Sequence, residues 1–253
     1  MSTPRIPLLV SLLLLATLEP ARAWTAPTRM RMVDEAVRLM PPSLRVALEH
    51  QREPLMRGAL EPMTAEDGPS HRPPWQGGQL DREIVARMNA LALASAEMKS
   101  FREVARRFGE LAHFVADASF PPGAAGEPGE ARYHDFAKYC ESRLDRIPLV
   151  FWGHDDPDLV ADGPQGFATD VMGQARREDR ELSRAYSLAG DPPDPAAFDD
   201  RSVPFAIASL SYTRSVTHIV RAWLTAWGQA SGDLKETPYL KSVDVYRRPQ
   251  GSR

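Results

Sequence analysis

A single cysteine, Cys140, stands in 253 residues, so no intramolecular disulfide can close and stability has to come from packing or from metal. A lone thiol is either reactive or a small buried apolar residue, and burial is the ordinary case. The chain also lacks a Gly-x-Ser-x-Gly elbow, a phosphate-binding glycine loop, a dinucleotide fingerprint and a Cys-x-x-Cys pair, which removes the chemistries those motifs serve. No alternation of apolar and polar residues runs long enough for a strand, and there is no internal repeat or low-complexity tract. With 31 Lys and Arg against 34 Asp and Glu, the charge is too balanced for a basic surface that would hold nucleic acid stably.

Residues 1–23, MSTPRIPLLVSLLLLATLEPARA, read as a cleavable secretory signal: a lone early Arg5, a leucine-rich stretch from Ile6 to Leu18, and the small-x-small Ala21-Arg22-Ala23. The alternative is a membrane anchor, but Pro7, Glu19 and Pro20 keep the apolar stretch short of the ~20 residues a bilayer span needs. Cleavage removes Arg5, Arg22 and Glu19 and leaves 230 residues with 29 basic and 33 acidic side chains, beginning at Trp24. The product is expected to be secreted or periplasmic, with no transmembrane segment. The expected division is a signal over 1–23, one helical domain over 24–233 and a tail over 234–253.

Helical spacing dominates that domain. Met32, Val33, Ala36, Val37 and Met40 share a face until Pro41-Pro42, and Leu44, Ala47 and Leu48 begin another helix. A loop from Glu61 to Gln79 precedes helices at about Leu80–Met98 and Phe101–Ala118, the second with Phe101, Val104, Ala105, Phe108, Leu111, Ala112 and Val115 on one stripe. Prolines and glycines in Phe120–Glu130 forbid its continuation, and helix resumes over Arg132–Asp145. Acidic, proline-rich connections at Gly153–Pro164 and Gly190–Asp200 flank a helix near Gly166–Leu188. A last helix places Phe205, Tyr212, Val216, Ile219, Trp223 and Trp227 on one side, as a central packing element.

With the common motifs excluded, six histidines carry the remaining chemistry. His113 and Asp117 lie one helical turn apart, about 40° from each other around the axis and away from the Phe101/Phe108 stripe. Imidazole and carboxylate are ligand types that zinc accepts, so the pair reads either as two metal ligands in a polar cleft or as a solvated pair beside Arg102 and Arg106. His50 and His218 read as structural. His154-Asp155-Asp156-Pro157-Asp158 offers oxygen donors for calcium without the spacing of a recognised loop, so it reads as a solvated acidic loop.

Order along the chain adds to this. Trp24 at the cleavage point, GELAHFVADASFPP around His113 and Asp117, and RYHDFAKYCESRLDRIP around His134 resemble the zinc-dependent phospholipase C family and its relatives, the fungal single-strand nucleases. The resemblance covers most of the mature chain. It implies a single compact all-α, multi-helix domain in which clustered zinc ions activate water against a phosphodiester. It also implies zinc ligation by Trp24 through its freed amine and carbonyl, by His71, His113 and His134, and by Asp117 as the bridging, catalytic carboxylate.

The departures from the family pattern are equally specific. Arg29 follows Thr28 where a histidine belongs, Met63 follows Pro62 in place of the expected aspartate, for which Asp67 is the candidate substitute, Gly123 replaces a histidine, and Lys138 replaces a glutamate. His134 alone cannot hold a third zinc, so the expectation is one zinc or none rather than three. Arg29 and Lys138 put fixed positive charge near Asp117, which makes either an anion-binding pocket or two solvent-reaching side chains. The expected function is therefore an exported phospholipase C-like protein hydrolysing a phosphoester at a degraded zinc centre. The alternative is an inactive relative that binds an anionic ligand or a partner through the same cleft.

Overall fold

Pro27, Pro42, Pro157, Pro164 and Pro204 each sit in the first turn of a helix, where the missing N–H is one that no helical carbonyl would have accepted. The computed structural model describes residues 23–64, 68–97, 99–124, 130–189 and 198–239, the side chains of 130–134 excepted. The expected signal before Ala23 and the end of the expected tail, 240–253, lie outside the described residues. Within them the chain forms α1 (Ala26–Arg38), α2 (Pro42–His50), α3 (Arg52–Leu60), α4 (Leu80–Ala96), α5 (Phe101–Ala118), α6 (Pro121–Ala124), α7 (Glu130–Arg143), α8 (Pro157–Ala161), α9 (Gly163–Leu188) and α10 (Val203–Gln229). There is no strand among the described residues, so the all-α expectation holds. No helix among them is long and apolar enough to cross a membrane.

Helix starts follow side-chain chemistry. Ser100 caps α5 by accepting from the Glu103 N–H, in a Ser-x-x-Glu sequence, and Ser202 caps α10 by accepting from the Phe205 N–H. Two expectations need correction. The Pro-Gly stretch after α5 holds a helical turn, α6, because its prolines open the turn instead of interrupting it. The acidic segment near Asp156 is not merely solvated: Asp156 is buried, caps α8 through the Leu159 N–H and accepts from Arg221 at 3.0 Å. That carboxylate is occupied by protein donors, and the calcium reading lapses with it.

The core is built on α5, which packs on α3, α4, α9 and α10 and is buried almost all round from Phe108 to Ala118. Trp223 of α10 meets Phe108 edge-on at 5.2 Å and donates its Nε1–H to the Phe108 carbonyl at 2.9 Å. Cys140 is fully buried on α7, as an apolar residue would be, and burial pushes its thiol well up from the usual range.

His218 is also fully buried, against Phe167, and its Nδ1 has no hydrogen-bond partner among the described residues. Burial, with Arg221 and Arg214 nearby, lowers its pKa to about 3. The unfolded chain thus takes up this proton first, so stability is full above about pH 6.5 and declines as pH falls toward 3. Between pH 6.5 and 4.5 His218 is expected to remove about 2–3 kcal/mol. Chemical melts of the protein and of His218→Phe at both pH values should show the variant losing less stability by that amount; equal losses would refute the assignment.

Candidate metal centre

Three helices and one loop bring the site together. His113 and Asp117 lie one turn apart on α5, and both are buried, at 2% and 5% exposure. The solvated-pair reading is therefore excluded: α3, α1 and the loop before α4 cover this face of α5. His71 arrives from a 3-10 turn at Gly68–His71 in that loop. The loop is strapped down by Trp75, whose Nε1–H reaches the Ala124 carbonyl at 2.9 Å, and by Gln76, whose amide reaches the Gly123 carbonyl at 3.0 Å. The His71 ring stacks on Phe114, 5.3 Å between centroids, and its side chain is the least buried of the three, at 12% exposure.

Three donor atoms converge. His71 Nδ1 lies 2.7 Å from Asp117 Oδ2, His113 Nε2 lies 3.2 Å from the same oxygen, and the two nitrogens are 3.4 Å apart. A tetrahedral zinc with bonds of about 2.0–2.1 Å places its donors about 3.3 Å apart, which the two separations from His113 Nε2 match, while the 2.7 Å contact of His71 with Asp117 is a hydrogen bond that an ion would have to open. His113 Nδ1 stands 2.9 Å from the Ala59 carbonyl, which can only accept, so Nδ1 donates, and Nε2 is the ring nitrogen turned to His71 and Asp117. His71, His113 and Asp117 are the group among the described residues that could hold a metal ion.

Arg29 forms the opposite wall. Its guanidinium is buried at 3% exposure and donates through Nε to the Trp24 carbonyl at 2.9 Å, through Nη1 to the His113 carbonyl at 3.1 Å and through Nη2 to Asp117 Oδ1. Trp24 is itself locked, with its indole N–H on the Ala116 carbonyl at 3.0 Å and its ring against Phe120. Asp117 thus presents one oxygen to Arg29 and the other to the two imidazoles. Burial alone would raise its pKa, but Arg29, His113 and His71 together outweigh it and hold the carboxyl well below the usual range. For His113, burial dominates and, with Arg29, lowers its pKa against the opposing pull of Asp117, so its imidazole stays neutral. An ionised carboxylate beside a neutral imidazole is the protonation state that metal ligation needs.

The other expected residues divide. Arg29 is not solvent-reaching, and its donors serve protein acceptors. Lys138 is exposed on α7. His134 and Asp67 lie outside the residues whose side chains are described. The contribution of α3 escaped the sequence reading altogether: Ala59 acts through its carbonyl, which leaves no mark in side-chain identity.

No protein-family model and no curated protein matches the chain. Solved structures do match, two alpha-toxins among them. The alpha-toxin isolated from an avian strain of Clostridium perfringens aligns with a TM-score of 0.60 at 13% identity, covering 83% of this chain and 66% of that one. The alpha toxin of Clostridium absonum aligns with a TM-score of 0.56 at 14% identity, covering 86% and 65%. The chain therefore shares its fold with the aligned part of these alpha-toxins and spans about two thirds of their length.

Proposed function

We propose that this is an exported, phospholipase C-like protein, secreted or periplasmic, that hydrolyses a phosphoester at a centre reduced to one zinc ion on His71, His113 and Asp117. The convergence of three donors, one with its tautomer set by the Ala59 carbonyl, carries this reading. The fold shared with the alpha-toxins and the sequence resemblance to the zinc phospholipase C family support the reaction class. A zinc ion held there supplies a Lewis acid that acidifies water and offsets charge on phosphoryl oxygens. The chain's own part is to hold Asp117 ionised and to keep His113 Nε2 turned to His71 and Asp117.

The Arg29–Asp117 pair favours a second reading, in which the cleft is already charge-balanced and the protein binds an anionic ligand or partner without catalysis. Elemental analysis of the purified protein separates the two. Near one zinc per chain, lost in His113→Asn and Asp117→Asn, together with zinc-dependent cleavage of bis-p-nitrophenyl phosphate, is expected for the hydrolase. Zinc near zero after zinc loading, with no cleavage, would replace it with the binding reading.

A further inference from the structure

Three oxygens from separate points of the chain converge on the Arg29 guanidinium: the Trp24 carbonyl, the His113 carbonyl and Asp117 Oδ1. All three belong to residues that are at most 5% exposed. One carboxylate and two carbonyl oxygens, withdrawn from water and fixed by packing, are donor types a hard divalent cation takes. Here they line the space filled by an organic cation, each on a different nitrogen of the guanidinium. The remaining oxygen of Asp117 faces His71 and His113, so one carboxylate joins two cation positions, of which the protein fills one with its own side chain.

We propose that Arg29 is a built-in substitute for a metal ion: its guanidinium closes the oxygen subsite formed by Trp24, His113 and Asp117 Oδ1 and so limits the cleft to a single divalent ion. The oxygen subsite stands on its own geometry, and only the count of one in the starting protein rests on the zinc centre proposed above. Two consequences follow. Removing the guanidinium opens a second position, and its positive charge no longer opposes an ion at the first. Arg29→Ala leaves room for a hydrated ion, whereas Arg29→Lys keeps a fixed charge at the same place.

The test is metal content and metal-dependent melting of the purified protein and both variants, with zinc and with manganese. Arg29→Ala should retain one more divalent ion per chain than the starting protein and show a larger rise in melting temperature on metal addition; Arg29→Lys should gain none. An Arg29→Ala protein that folds yet binds no more metal than its parent, with no larger thermal shift, overturns the proposal. Should Arg29→Ala fail to fold without metal, refolding with and without zinc decides: recovery only with zinc supports the substitution of one cation by another, and failure in both overturns it. A parent that binds no zinc beside an Arg29→Ala variant that does would sink the hydrolase reading and leave this one standing. One zinc in each would do the reverse.

Discussion

Arg29→Met is expected to lower the free energy of unfolding by about 3–5 kcal/mol in metal-free buffer, because it leaves the buried Asp117 carboxylate without its countercharge. In a domain of this size that corresponds to a fall in melting temperature of about 6–20 °C. Methionine keeps the unbranched stem of the side chain and removes the guanidinium, so the loss reports mainly the missing charge and hydrogen bonds. Adding Asp117→Leu should recover at least half of the loss, since the double variant no longer buries a lone charge. Recovery should stay incomplete, because the Trp24 carbonyl still lacks the Arg29 donor, an omission worth about 1–3 kcal/mol. Additive losses in equilibrium melts would mean that the two side chains are not coupled and that Arg29 does not hold the centre together.

This pair also marks where the sequence stops being legible. The helices were readable because their signals are local: the stripe on α5 from Phe101 to Val115, the proline starts, the Ser100 and Ser202 caps. Observed boundaries agree closely for α5 and differ by a few residues for α4 and α9. The segment after Pro42 divides into α2 and α3 at Gln51, three residues before Pro54, whose missing N–H falls in the first turn of α3. His113 and Asp117 were visible because a four-residue spacing is itself geometry, and His71 because the family resemblance pointed to it. Burial of the pair was not visible. The α5 stripe gives one apolar face, whereas the polar face is covered by partners distant in sequence, α1, α3 and the loop over 61–79. The direction of Arg29 was hidden for the same reason, since a basic residue in a first helical turn ordinarily reaches water, and only the enclosure formed by Trp24, His113 and Asp117 turns it inward.

The hydrogen bond that the His113 ring donates to the Ala59 carbonyl depends on two residues that carry no chemistry. Gly58 of α3 and Gly109 of α5 face each other where these helices cross: a Cβ on Gly109 would lie 2.0 Å from the Leu55 carbonyl oxygen, and one on Gly58 would lie 2.0 Å from that of Arg106. Both obstacles are backbone, which cannot rotate aside as a side chain does. Gly109→Ala therefore has to push the two helices apart, at a cost of about 1–3 kcal/mol or more, even though alanine is the better helix former by about 1 kcal/mol. The displacement falls one residue before Ala59, whose carbonyl fixes the His113 tautomer at 2.9 Å. Loss of such an outer-shell partner weakens metal binding about 10- to 100-fold. Gly109→Ala is thus expected both to melt earlier and to bind zinc more weakly in calorimetric titration, although it alters neither ligand nor charge. Ala112→Gly supplies the control on the same helix: it weakens α5 without wedging α3 away, so stability should fall while zinc affinity in the folded protein holds. A Gly109→Ala protein with unchanged zinc affinity would show that the α3 carbonyl does not set the ligand geometry of His113.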